Sequence, residues 1–305
     1  MRGGGRRARL VAARERAIRA GSLVADSPVV QRVRAPLSAY GIVNGSVLAA
    51  GLAFLALFAV ISGLLLLISV LVLLGDTEAR RDEAVLWLIG QVPPVEAFAR
   101  EIISGLADGA RVGTVVGLIA FAWGASGFYV GLHDSLDVLL PPRRRRNALI
   151  ARIEGIAAIL LLVGAFVAAV AAASLGVVRQ VAALAVGMDL GFLGLLVGPA
   201  IGIGGATLAS LVVYRFVPSD PPSIREAALP ALGSGVAIGL LTGLFGLVAP
   251  VLVGGFAGLG VIASVFVALV WFHWVFRFVL YGAAEARVRR DAARTLASPV
   301  GEAAG

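Results

Sequence analysis

Apolar residues run through this chain in uncharged blocks long enough to cross a hydrocarbon core, and the polar positions between them fall in clusters. A core of about 30 Å needs about 20 residues of helix. Six stretches meet that length, near 47–75, 112–132, 153–178, 190–216, 228–250 and 257–283. The pattern predicts an all-α fold, a polytopic membrane helix bundle with about six transmembrane helices filling 47–283. The first stretch starts too far along the sequence, and is too long, to be the apolar region of a cleaved signal peptide, so it is expected to stay attached.

Composition agrees with bilayer as the solvent. Of 305 residues, 59% are hydrophobic and 14% charged, with a mean hydropathy of +0.97, outside the range of an ordinary soluble domain. There is no Cys and there are two His, which excludes disulfide and thiol chemistry and leaves a zinc site mostly carboxylate ligands. No metal and no cofactor are expected.

All 26 basic residues are Arg, and their placement orients the chain. Segments 1–46, 133–152, 215–227 and 277–305 carry 21 of them, while 76–111 and 179–189 carry five. The positive-inside rule then puts both termini in the cytoplasm, with an even number of spans. Three regions follow: a basic N-terminal segment 1–46, the six-helix domain 47–283 and a basic tail 284–305. Within the domain, 76–111 sets Val95, Phe98, Ile102 and Leu106 on one helical stripe after Pro93 and Pro94. It is expected to form an amphipathic hairpin on the extracytoplasmic side.

The first 34 residues hold nine Arg against Glu15 and Asp26. Such a segment can attach to an anionic leaflet, each basic residue near the surface contributing about 1 kcal/mol. No aromatic residue interleaves with these Arg to stack on bases, so membrane lipids rather than nucleic acid are the expected partner. The run Arg143, Arg144, Arg145 and Arg146, after Pro141 and Pro142, reads as a solvated cytoplasmic turn.

Small residues recur every fourth position in two spans: Gly194, Gly198, Gly202, Ala206 and Ser210, then Ala231, Gly235, Gly239 and Gly243. This spacing lets helix backbones approach where bulkier side chains would hold them apart. It predicts a tight hairpin of spans four and five, and serves a homo-oligomer equally well. Pro199 beside Gly198, with Gly202, Gly204 and Gly205 following, predicts a kink or local unwinding in span four.

Charges within spans are few and costly, about 2.5 to 3.5 kcal/mol each at the bilayer centre. Glu154, His273 and Arg277 are the candidate substrate-binding residues. Glu154 in the first turn of span three and Arg277 near the inner end of span six sit at comparable depths, which makes a pair across the bundle one of two readings. The alternative is that Arg277 reaches lipid phosphates while Glu154 caps its own helix. His273 lies one turn before Arg277, between Trp271 and Trp274. Asp189 reads as a helix N-cap. His133, Asp134 and Asp137 could be drawn as a metal cluster, but the neighbouring Arg run makes ion pairing the better expectation. No serine elbow, phosphate loop, zincin helix or dinucleotide fingerprint occurs, so no catalytic residue and no enzyme are expected.

Several motifs share their order with one family. Leu48, Ala49, Ala50, Gly51, Leu52, Ala53 and Phe54 open the first span. Trp123, Ala125, Ser126 and Gly127 are followed by Leu132, Leu136, Asp137, Pro141 and Pro142. Tyr214, Arg215 and Pro218 precede Arg225, Ala228, Leu229 and Pro230, and Glu285 closes the set after Ala283 and Ala284. In these the chain resembles the YihY/BrkB family of membrane proteins, once named for ribonuclease BN, from about residue 40 to 290. Leu55 and Ser62 depart from the Tyr and Pro usual there. The resemblance implies a six-helix inner-membrane bundle and no mechanism. A transporter or lipid-translocating protein is the preferred expectation, a non-catalytic envelope or scaffold protein the alternative; a nuclease would need metal ligands or an acid–base pair that His133 and His273 do not supply.

Overall fold

The structure, a computed structural model, describes residues 28–74, 110–142, 191–255 and 261–297. Among them are six helices and no strand: α1 Pro28–Ile42, α2 Gly45–Leu74, α3 Ala110–Leu139, α4 Gly191–Phe216, α5 Ile224–Gly255 and α6 Val261–Ala297. Four are long and apolar enough to cross a membrane, over Gly45–Gly63, Val115–Leu139, Ile224–Val248 and Ile262–Arg294, and Gly202–Phe216 is a shorter apolar helix. The chain is therefore an all-α, multi-pass membrane protein. The expected span 153–178, the hairpin up to residue 109, Glu154, Asp189 and the run Arg143 to Arg146 lie outside the described residues.

Helix ends depart from the hydropathy boundaries in an orderly way. α3 runs on to Leu139 and α6 to Ala297, well past 132 and 283. Hydropathy marks where lipid stops, whereas the helix continues while propensity and local pairs favour it. In α6 the extension is rich in Ala and Arg, with Arg289 on Glu285 at 2.8 Å and Arg287 on Asp291 at 3.7 Å, both four residues apart. α1 lies inside the basic segment 1–46, outside the expected spans; the cue is Pro28 after Ser27, since Pro is favoured at a first helical position. The unwinding expected in span four is absent, for α4 runs unbroken through Pro199. In lipid a freed backbone group finds no water, so remaining helical limits the loss to the hydrogen bond that Pro removes.

α5 begins with a capping box. The Ser223 amide donates to Glu226 Oε2 at 2.7 Å, and the Glu226 and Ala227 amides donate to the Ser223 carbonyl at 3.0 and 2.9 Å. This arrangement satisfies amide groups that a helix start leaves without partners.

α6 is the hub, packed against α1, α2, α3 and α5, while α2 pairs with α3 and α4 with α5. Where α6 meets α2 and α3, small and large residues alternate: Ala49, Leu52 and Ala53 of α2, Leu136 of α3, and Ala283 and Ala284 of α6 are all buried. Helices in lipid gain no hydrophobic drive from meeting one another, so close contact through small residues is what dispersion needs.

The small-residue stripes divide. A side chain at Gly235 would meet the Thr207 backbone, its Cβ 2.6 Å from that amide nitrogen, and one at Gly239 would run into Ile203. Gly202 and Gly243 face open space, with nothing within 4 Å. A four-residue repeat drifts about 40° per step around a helix of 3.6 residues per turn, so a long stripe leaves a single contact face. Gly198 lies in α4 and Gly194 near its start. Gly235→Leu is expected to cost about 1 to 3 kcal/mol through overpacking and to lower the melting temperature in detergent. Gly243→Leu should leave that temperature unchanged.

Candidate functional site

One buried hydroxyl positions α5 and α6 together. Tyr214 of α4 is fully buried; its hydroxyl donates to the Val279 carbonyl at 2.7 Å and lies 2.8 Å from Ser234 Oγ. The Ser234 hydrogen is shared between the Tyr214 oxygen and the Phe278 carbonyl, 3.0 Å away. A side chain at Gly282 would occupy the same space as both hydroxyls. The knot thus needs Tyr on one helix, Ser on the second and Gly on the third.

On the other side of Ser234 and Gly282 an open groove of about 410 Å³ runs between α1, α5 and α6. Leu37 and Tyr40 of α1, Gly233 and Ala237 of α5, and Trp274 and Arg277 of α6 are among its walls. Its size falls within the range of about 300 to 1,000 Å³ typical of small-molecule sites. The α6 contribution recurs at three- and four-residue steps, through Trp274, Phe278, Tyr281 and Glu285, which places the wall on one helical face. Tyr40 also meets the Tyr281 ring edge-on, with centroids 6.4 Å apart, tying α1 to α6.

Arg277 is the chemically distinctive member. Its guanidinium carbon lies 4.6 Å from the centre of the Trp274 ring, a cation–π contact of about 0.5 to 2 kcal/mol that supplies no hydrogen-bond acceptor. Glu285, eight residues along the same wall, is engaged by Arg289, whose Nε and Nη2 donate to its Oε1 at 3.0 and 2.8 Å. Among the described residues no carboxylate stands within ion-pair distance of Arg277. His273 is not part of the groove wall; it is half-buried, with its ring edge-on to Trp274 at 6.4 Å. The structure thus groups Arg277 with Trp274 and Tyr281 rather than with His273.

A second polar group clasps the turn between α4 and α5. The Ser219 amide donates to Asp137 Oδ1 at 2.8 Å and its hydroxyl to Oδ2 at 2.6 Å. His133 Nδ1 donates to the Val217 carbonyl at 2.7 Å, which in a neutral ring leaves Nε2 as an acceptor. Nε2 lies 3.5 Å from Ser219 Oγ and 3.6 Å from Asp137 Oδ2. Because the hydroxyl hydrogen goes to the carboxylate and not to the imidazole, the cluster holds a turn and does not activate the serine. Asp137 meets this turn; the Arg run that the sequence suggested as its partner lies outside the described residues. Among the described residues no group of three or more His, Cys, Asp or Glu is arranged to hold a metal.

Asp220, the next residue, holds α6. Its backbone carbonyl accepts from Arg290 Nη1 at 3.0 Å, and its carboxylate lies 3.4 Å from the same atom and 3.9 Å from Arg294 Nη2. Arg290 is only 2% exposed, so removing the carboxylate takes a counter-charge away from a buried guanidinium. Asp220→Ala is expected to destabilise the protein by about 2 to 3 kcal/mol, with Asp220→Asn recovering part of the loss, as read by thermal unfolding in detergent. Ser219 and Asp220 were missed in the sequence because polar residues in a Pro-rich turn look solvated until their distant partners are known.

Comparison with known proteins gives a single kind of answer. No curated protein and no solved structure matches the chain. The family model described as virulence factor BrkB matches residues 37–303, reaching from α1 past the end of α6 and so covering the groove, the Tyr214 knot and the clasped turn. On that match the chain belongs to the virulence factor BrkB family of membrane proteins.

Proposed function

We propose that this protein is a transporter of the cytoplasmic membrane that translocates lipid. The observation that carries the reading is the groove of about 410 Å³ between α1, α5 and α6, apolar over most of its wall, with a guanidinium set into it. A soluble solute calls for polar groups converging in an enclosed cavity. A lipid calls for an apolar channel open at its side, with charge where the head group travels.

The surroundings support the same reading. α1, the clasped α4–α5 turn and the C-terminal part of α6 gather at one end of the bundle, the end where the sequence concentrates Arg. On the positive-inside rule that end faces the cytoplasm, and its charge collects anionic head groups there. Glu285, paired with Arg289, lines the groove, and Arg277 stands about 12 Å from it along α6, eight residues at 1.5 Å each.

The test is lipid flipping in liposomes. Gly233 lines the groove, and a side chain built on it meets nothing within 4 Å, so Gly233→Phe fills space without disturbing the core. Purified wild-type protein is expected to accelerate the exchange of a labelled phospholipid between leaflets over protein-free vesicles. Gly233→Phe should slow it several-fold at unchanged melting temperature. Wild-type rates equal to those of empty vesicles would remove the lipid-translocation reading and leave a soluble-solute transporter or a scaffold.

A further inference from the structure

We infer that the α1–α5–α6 groove is a binding site for a single phospholipid with an anionic head group, the phosphate held by Arg277 and one acyl chain lying against Ala237, Trp274 and Phe278. The inference rests on the lipid reading above and assigns to it a site, a substrate class and a residue that sets selectivity.

Charge complementarity carries the argument. A guanidinium has five N–H donors in a planar fork matched to two oxygens of a phosphate or carboxylate. Trp274 meets the Arg277 guanidinium through its ring and offers it no oxygen acceptor. No described residue accepts a hydrogen bond from Arg277, and the carboxylate nearest along the groove, Glu285, is occupied by Arg289. In an apolar wall such a cation is costly until an anion meets it. A second donor stands unmatched at the same groove: Tyr40 is 8% exposed, and its hydroxyl is buried with no partner among the described residues.

The walls select which anion. Leu37, Ala237, Trp274 and Phe278 offer hydrocarbon and aromatic surface, which a free phosphate cannot use and an acyl chain can. The groove extends about 16 Å along α6 from Trp274 to Glu285, eleven residues at 1.5 Å each. That reach fits an elongated ligand with charge at one part and chain at another. The guanidinium of Arg277 is a planar fork, so replacement by Lys keeps the charge but loses the two-point match.

The experiment is competition for the purified full-length protein in neutral detergent, followed by native mass spectrometry. Equimolar phosphatidylglycerol and phosphatidylcholine of the same chains are offered, with glycerol 3-phosphate as the chainless arm. Wild type is expected to retain one phosphatidylglycerol, with no retention of glycerol 3-phosphate. Arg277→Gln should lose about tenfold of the preference for the anionic lipid, the worth of one charge-assisted hydrogen bond, and Arg277→Lys should recover part of it. Gly233→Phe should lower retention of both lipids. Arg225→Gln, an exposed basic residue in the first turn of α5 outside the groove, should change nothing. An equal loss in Arg225→Gln would show diffuse rim charge and overturn the site. So would retention of glycerol 3-phosphate, or a preference that rises in Glu154→Gln, which would mean that Glu154 already holds Arg277. Retention through Arg277 without flipping by wild type would leave the site standing and remove translocation. Flipping without that preference would do the reverse.

Discussion

The hydroxyl of Tyr214 is where three helices are held to one another. It bonds the backbone of α6 and faces Ser234 of α5, and it fits only because Gly282 has no side chain. In a membrane the usual drive to bury apolar surface is weak, since lipid is as apolar as the partner helix. A buried, directional hydrogen bond therefore carries more of the specificity than its energy of about 1 kcal/mol suggests. The positions of Ser234 and Gly282, and so one border of the groove, follow from it.

The polar groups of the structure fall into two kinds. Asp137, Ser219, Asp220 and Arg290 bond one another across α3, the α4–α5 turn and α6, and fix how these elements meet. Arg277 binds no described residue except through the face of Trp274. A group already satisfied within the protein contributes to stability. One with unmatched donors in an apolar wall has its interaction energy still available for a ligand, which is why the functional reading converges on Arg277.

The helices were legible in the sequence because lipid imposes one simple rule, a long helix with few charges, and α2, α3, α5 and α6 each obey it, with α4 holding a shorter apolar helix. Arg277 was legible for the same reason, since a charge inside such a block stands out. α1 was not, because a short helix carrying Arg32 and Arg34 has no hydropathy signal. The roles of Trp274 and Tyr281 were hidden because aromatic residues in a membrane helix face lipid, core or groove with equal ease. The glycine stripes were half legible: spacing shows that Gly235 and Gly243 are small, but the crossing of α4 over α5 selects Gly235 for contact.

By itself the sequence determined the all-α membrane class, the positions of the described spans and the scarcity of intramembrane charge. Each of these depends on local composition measured against a solvent of known thickness. The tertiary structure alone decided which charges were partnered. Asp137 meets Ser219 over a sequence separation of 82 and Asp220 meets Arg290 over 70, distances at which no periodicity carries information. It also decided that Arg277 shares a wall with Trp274 and not with His273. The choice between two neighbours on one helix is made by the rotation of that helix against α1 and α5, which is set by packing.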